Sequence, residues 1–185
     1  MMNGIWCSPT IEVLKETVVS GRFGMSNLSG AMAAPLPTTP RPFLAILVGG
    51  GIVGALDLIY AVLVYSPQRP VLVPQAIASG VLGVKSYSGG AQSAALGVIL
   101  HFFIAFVAAA VYYLASRRLA ILTDRAVLFG LIYGALVYAF MHLIVVPLSA
   151  FPKGHTPWIY QASEFVEHWF CVGLPIALSV RHYSR

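Results

Sequence analysis

Residues 93–116 read SAALGVILHFFIAFVAAAVYYLAS, an apolar run that contains one histidine, His101, and no charged residue. A helix needs about 20 such residues to cross the hydrocarbon core of a bilayer. A run of this length must be helical there, because lipid offers no hydrogen-bond partners to unpaired backbone groups. The stretch therefore predicts a membrane-spanning helix.

The composition of the whole chain agrees with this interpretation. Charged residues make up 9% of the 185 residues, and hydrophobic residues make up 58%. An ordinary soluble domain has about 25% charged residues. The mean hydropathy of +0.83 is also typical of a chain whose main solvent is lipid. The lipid bilayer is therefore the expected partner.

Three further apolar runs extend the pattern on both sides. They cover residues 42–65, 127–151 and 161–180, each near or above the length of one span. We predict an all-α integral membrane protein whose residues 41–185 form one antiparallel bundle of four transmembrane helices. The connection 66–92 contains VLVPQAIASGVLGV, which is too short to cross. It predicts a short interfacial or re-entrant helix that begins near Pro74.

The first 40 residues differ from the rest of the chain. They end in the small and proline-rich stretch SNLSGAMAAPLPTTPRP, which continues to Pro42. Such a composition favours a flexible tail over a packed core. The segment has no unbroken apolar stretch of the kind that a secretory leader carries. The alternative is that translation starts at Met25 or Met32 and that the upstream residues are a gene-calling artefact.

Basic residues set the expected orientation. Eight of the 11 lysines and arginines lie in the N-terminal tail, the connection between the second and third runs, or the C-terminus. The other connections carry Arg69, Lys85 and Lys153. Because cytoplasmic segments carry the excess of positive charge, both termini are expected in the cytoplasm. The same scattered placement at the ends of apolar runs argues against nucleic-acid binding.

Two pairs of glycines follow the spacing GxxxG, which lets helix backbones approach closely. They are Gly50 with Gly54, and Gly130 with Gly134. The spacing favours close packing within the bundle, and a seam between two copies in a homo-oligomer is the alternative.

Six ionisable side chains fall inside the apolar runs. An ionisable group in hydrocarbon costs several kcal/mol unless it is paired, neutralised or turned inward, so such groups are functional candidates. The six residues, which we predict to form a proton-binding or cation-binding cluster, are Asp57, His101, His142, Glu164, Glu167 and His168.

Their positions along the runs agree in depth. Asp57, His101, His142 and His168 each lie roughly 10–14 Å from the same face of the bilayer at 1.5 Å per helical residue. The orientation above makes this the outer, periplasmic face. Glu164 also precedes His168 by four residues, which places both on one helical face.

Several chemistries are open to these residues. Carboxylates and imidazoles in a dry site can exchange protons near neutral pH. His101, His142, Glu164 and His168 can instead ligate a divalent metal, as in a membrane metalloenzyme. His101 and His142 can ligate haem, as in an oxidoreductase subunit. A hydrogen-bonded cluster that fixes helix register, in a structural or partner-binding protein, is the remaining alternative. No serine lies in the setting of a catalytic nucleophile, which favours a protein without enzymatic activity.

The C-terminal third carries a more specific pattern. Residues 130–181 read GLIYGALVYAFMHLIVVPLSAFPKGHTPWIYQASEFVEHWFCVGLPIALSVR, and this stretch resembles the C-terminal half of the YagU family of bacterial inner-membrane proteins. The run that contains His101 is also similar to its counterpart there, whereas the likeness is weaker before Gln92. The residues that carry the resemblance are Met141, His142, Pro147, Leu148, Trp158, Ser163, Glu164 and His168.

The resemblance implies a multi-pass protein of the bacterial inner membrane with a loose association with acid stress. It does not imply a catalytic reaction, and it leaves Asp57 and the first connection without a family role. Together with the residues, it favours a protein that binds protons or a cation near the periplasmic side.

Overall fold

A computed structural model describes residues 41–154 and 156–184, which belong to one compact unit, Thr39–Arg185. The predicted tail, residues 1–40, lies outside the described residues. The described part of the chain forms helices and connections and contains no strand.

The helices follow one another with short connections. Their bounds, in chain order, are α1 Pro42–Tyr65, α2 Leu72–Leu82, α3 Gly90–Ser116, α4 Ile121–Asp124, α5 Ala126–Phe140, α6 Val146–Leu148, α7 Trp158–Glu167 and α8 Leu174–Tyr183. A 3₁₀ segment, Gly83–Ser88, joins α2 to α3. Two π-helical segments complete the set: the first π segment, Met141–Val145, between α5 and α6, and the second π segment, His168–Gly173, between α7 and α8.

Three helices are long and apolar enough to cross a membrane. They are Pro42–Tyr65, Gly90–Ser116 and Ala126–Leu148, and each overlaps a predicted span. The predicted fourth span, residues 161–180, lies within the final helical run, which comprises α7, the second π segment and α8. Glu164 and Glu167 interrupt its apolar character. Three of the four predicted spans therefore coincide with candidate membrane-spanning helices, and the fourth span stays a prediction.

Contacts at the helix ends establish the antiparallel order. The backbone N–H of Arg41 donates to the carbonyl oxygen of Tyr183 at 2.9 Å, which joins the start of α1 to the end of α8. The N–H of Ala150 donates to the carbonyl oxygen of Gly80 at 2.9 Å, which joins the third connection to the first. The bundle therefore has a terminal end, near Arg41 and Tyr183, and a connection end, near Gly80 and Ala150.

Outward-facing side chains are strongly apolar, as lipid requires. Phe103 is 63% exposed and Leu143 is 75% exposed. The buried core is built largely from small residues with a few larger ones, among them Tyr112 and Ile176. A water-soluble protein of this size rarely exposes such continuous apolar surface, so the three long helices indicate a bilayer environment.

Both glycine pairs lie at contacts between helices of the same chain. A Cβ on Gly50 or Gly54 would collide with Phe106 or Phe102 of α3. A Cβ on Gly134 would collide with the carbonyl oxygen of His168. These faces are therefore filled within the protomer, as the spacing predicted, and a homo-oligomer through them stays a prediction.

Helix α2 packs along the beginning of α3. The side-chain amide of Gln75 donates to the carbonyl oxygen of Gly90 at 3.0 Å, and a Cβ on Gly97 would collide with the carbonyl of Pro74. Gly83 and Gly90 have φ angles of 61° and 60°, which a residue with a side chain rarely adopts. They mark the turns on either side of the 3₁₀ segment. Helix α2 lies within the connection in which a short interfacial or re-entrant helix was predicted, and its position relative to the membrane stays a prediction.

Each π segment is followed by a proline. Pro147 is the second residue of α6, which follows the first π segment, and Pro175 is the second residue of α8, which follows the second. A proline cannot donate to the carbonyl four residues earlier, and its ring collides with that carbonyl. The wider π turn relieves this conflict; α8 continues for eight residues after Pro175, whereas α6 ends at Leu148. The structure therefore places a π turn before both prolines.

Candidate functional site

The most buried ionisable residues lie at the junction of α7 and the second π segment. The side chains of Glu167 and His168 are 2% and 8% exposed, and Nδ1 of His168 lies 2.9 Å from Oε2 of Glu167. The same Nδ1 lies 2.9 Å from the carbonyl oxygen of Glu164. Nδ1 of His168 therefore faces two acceptors, the carbonyl oxygen of Glu164 and the carboxylate of Glu167.

Two further helices bring Asp57 and His101 to this pair. Nε2 of His101 lies 2.9 Å from the carbonyl oxygen of Gly54, so it donates there. It also lies 3.9 Å from Oδ2 of Asp57. Asp57 in turn interacts electrostatically with Glu167 and His168. We call Asp57, His101, Glu167 and His168 the inner group.

A second set lies nearer the connection end. The hydroxyl of Tyr65 donates to Oε2 of Glu164 at 3.0 Å, and Nε2 of His142 lies 3.6 Å from the same oxygen. The ring of Tyr138 stacks on His142 with 4.1 Å between centroids. The side chains of His142 and Glu164 are 32% and 26% exposed, more than those of Glu167 and His168. We call Tyr65, Tyr138, His142 and Glu164 the outer group.

The contact between His142 and Glu164 has an unusual proton requirement. Nδ1 of His142 lies 3.2 Å from the carbonyl oxygen of Tyr138, which can only accept a hydrogen bond. The N–H on Nδ1 is therefore committed to that carbonyl. Nε2 then faces a carboxylate oxygen, and two acceptors face each other unless one of them binds a further proton.

The two groups are continuous through shared residues. Glu164 gives its side chain to the outer group and its carbonyl oxygen to His168 of the inner group. The ring of Tyr138 stacks on His142 and meets the edge of His168, with 5.5 Å between the latter centroids. The six candidate residues thus lie along one polar file between the helices.

This arrangement differs in detail from the expectation of one shared level. The predicted pairing of Glu164 with His168 takes place through the backbone of Glu164, and the carboxylate nearest His168 belongs to Glu167. The reason is local. The second π segment begins at His168, so the helical hydrogen bonds change from i→i+4 to i→i+5 there, and the side chains rotate away from ideal α positions.

The described residues hold no group of three or more His, Cys, Asp and Glu side chains arranged to bind a metal ion. His101 and His142 each use one ring nitrogen on a backbone carbonyl, and their second contacts are with different carboxylates. The geometry therefore gives no support to the metal set His101, His142, Glu164 and His168, or to haem ligation by His101 and His142.

Two aromatic residues of the site were missed by reasoning from the sequence. The residues predicted to form the cluster include neither Tyr65 nor Tyr138. Tyr138 precedes His142 by four residues, a spacing that places both on one helical face. That spacing was available in the sequence. The contact of Tyr65 with Glu164 joins residues far apart in the chain and left no local signal.

No model of a known protein family, no curated protein and no solved structure matches this chain.

Proposed function

We propose that this protein is a four-span membrane protein without enzymatic activity that binds protons at its inner group. The observation that carries the proposal is Glu167, whose carboxylate is buried with the side chain 2% exposed and lies 2.9 Å from the imidazole of His168. A buried carboxylate in this position is costly as an unpaired anion. A proton shared among Glu167, His168 and the neighbouring Asp57 removes that cost.

The surroundings of the inner group support proton binding over cation binding. A metal ion needs several oxygen or nitrogen ligands that converge on one point. Here one nitrogen of each imidazole, Nε2 of His101 and Nδ1 of His168, faces a backbone carbonyl, and the described residues hold no group of three or more His, Cys, Asp and Glu side chains placed to bind a metal ion. A proton needs only one lone pair at a time, and both oxygens of Glu167 offer one.

The proposed setting is a bacterial inner membrane with the terminal end in the cytoplasm. The described terminal end carries Arg41, Arg117, Arg118, Arg125 and Arg181, and the connection end carries Arg69, Lys85 and Lys153. This asymmetry supports a cytoplasmic terminal end. The inner group then lies nearer the periplasmic side, where it can respond to external acid. The resemblance to the YagU family is part of this proposal, because it also implies an inner-membrane protein associated with acid stress.

The test is a pH titration of the purified protein in lipid nanodiscs. Infrared spectroscopy follows the carboxyl groups, and NMR of labelled histidine follows the imidazoles. We expect at least one carboxyl and one imidazole to exchange protons together, and Glu167→Gln to remove the carboxyl signal. The matched control is Asp124→Asn at the terminal end, which should leave that signal in place.

A second measurement tests whether the site contributes to the response of cells to external acid. If the proposal is correct, the His142→Ala, His168→Ala double variant should lose its response to external acid. An unchanged response would count against it, and so would a titration that Glu167→Gln leaves unaltered. Stoichiometric metal by elemental analysis, or a haem absorption band, would favour the metalloprotein alternative.

A further inference from the structure

The acidic residues, basic residues and histidines of the described helices leave one half of the bundle free of such side chains. Between the terminal end and the inner group, the helices contain no Asp, Glu, Lys, Arg or His over residues 42–56, 102–116, 126–137 and 169–180. We call these four segments the apolar half. Each extends over roughly 18–22 Å at 1.5 Å per residue, which is more than half of the hydrocarbon thickness.

The apolar half is also closely packed. Gly130, Gly134 and Gly173 bring α5 and the second π segment into backbone contact, since a Cβ at any of them would collide with the facing helix. The hydroxyls of Tyr112 and Tyr133 donate to backbone carbonyls of Leu122 and Ala108 at 2.9 and 2.7 Å. The described residues therefore offer no polar file from the inner group to the terminal end.

The other direction is different. Asp57 lies eight residues before the end of α1 at Tyr65, about 12 Å along the helix axis. The outer group fills this interval with Tyr65, Glu164 and His142, whose side chains are partly exposed at the connection end. Glu164 and Glu167 are three residues apart on α7, a spacing at which side chains are neighbours on the helix surface.

We infer that protons reach the inner group from the connection end only, with Glu164 as the entry residue, and that none passes through the apolar half. The inference rests on the proposed function and adds its sidedness and its route. It makes the protein a one-sided proton-binding device and not a proton channel.

The route consists of proton transfers that need no other reactant. A proton from water at the connection end binds an oxygen of Glu164, which the hydroxyl of Tyr65 and Nε2 of His142 face. It then passes to an oxygen of Glu167 or to the imidazole of His168, and Glu164 returns to the carboxylate form. We expect a bridging water to carry the proton between the two side chains.

Every element packed on the inner group contributes to its charge balance. Asp57 faces it from α1 and His101 from α3, while Tyr138 and His142 approach it from α5 and the first π segment. Cys171 of the second π segment interacts with Glu167 and Asp57. A transfer from Glu164 therefore shifts the protonation of the whole inner group, and the readout must resolve Glu167 and His168 from the rest.

The experiment uses the full chain in proteoliposomes whose orientation is assigned by trypsin access to Arg117 and Arg118. The pH is changed on one face at a time, while infrared absorption reports Glu167 and a trapped dye reports the pH inside. We expect the Glu167 signal to follow the pH at the connection face only, and the pH inside the liposomes to stay unchanged. A signal that follows the terminal face, or proton leakage into the interior, would overturn the inference.

Variants of the entry residue test the route. Glu164→Gln should slow the approach of the Glu167 signal to its final value by at least about tenfold, while the equilibrium titration persists, because one proton acceptor is removed from the path. Ser163→Ala, next in the chain and bonded only within its own turn, is the matched control and should leave the rate unchanged. An unchanged rate in Glu164→Gln would refute this role.

Tyr65→Phe supplies a second variant in case Glu164→Gln does not fold. It keeps the ring and removes the hydroxyl that holds Glu164. We expect a slower response here as well, and an unchanged rate would again contradict the route. Failure of the proposed function is distinguishable, because the equilibrium titration of Glu167 would then be missing regardless of the face to which acid is added.

Discussion

The two halves of this bundle share the same helices and differ in what holds them together. In the apolar half, small residues let backbones touch, as Gly134 does against His168 and Gly173 against Gly130. In the half nearer the connections, the helices meet through polar side chains such as His101 and Glu164. Close backbone packing and a row of buried polar side chains are therefore two alternative ways to join helices in lipid, because neither relies on hydrophobic burial.

The largest expected effect comes from removing the partner of the most buried acid. His168→Ala leaves Glu167 without its neighbouring imidazole and should destabilise the protein by about 3–5 kcal/mol at neutral pH. Unfolding in mixed detergent micelles, followed by circular dichroism, measures the free energy of unfolding. His182→Ala, an exposed histidine in the last turn of α8, is the control and should change it by less than about 0.5 kcal/mol. Equal losses of unfolding free energy in the two variants would show that the inner group contributes no more to stability than an exposed histidine.

The next effect tests the apolar half. Gly173→Ala places a methyl group against the backbone of Gly130 and Gly134, so the helices must separate, at a cost of about 1–3 kcal/mol. Gly51→Ala is the control, because a Cβ at Gly51 meets nothing within 4 Å. Alanine is the better helix former, so this control should be neutral or stabilising. If both variants behave alike in the same unfolding measurement, the close packing is not what joins these helices.

A smaller loss of stability is expected from a variant of the outer group than from one of the inner group. Tyr65→Phe removes one hydrogen bond to a partly exposed carboxylate and should cost about 1 kcal/mol. Tyr87→Phe, at an exposed tyrosine of the 3₁₀ segment, is the matched control. A loss as large as that of His168→Ala would mean that the outer group carries as much stability as the inner one, and the distinction between them would fail.

The smallest expected effect concerns the π segments. Pro147→Ala restores an N–H and removes the ring that conflicts with the preceding turn, so the first π segment should relax towards an α-helix. Stability should change by less than about 1 kcal/mol, since a gained hydrogen bond offsets the loss of local packing. The informative readout is the NMR signal of His142, which should shift, whereas that of His101 should not. Identical spectra would show that the proline does not maintain the π turn.

The sequence was a strong guide to the helices and a weaker one to the site. The apolar run 42–65 coincides with α1, because a span in lipid is selected by length and hydropathy alone. The GxxxG pairs likewise predicted close helix contacts, since glycine is what permits them. For the site, the choice of six residues rested on the cost of charge in hydrocarbon, and the structure brings all six to one polar file.

The sequence by itself therefore determined that the chain suits a lipid bilayer and where three long apolar helices lie. It also determined which residues are too polar to face lipid. Only the tertiary structure decided the pairing: that Glu167 and not Glu164 lies against the imidazole of His168, and that Tyr65 reaches Glu164. The physical reason is that pairing depends on the rotation of each helix about its axis. Two π segments, each shortly before a proline, alter that rotation, and hydropathy does not encode them.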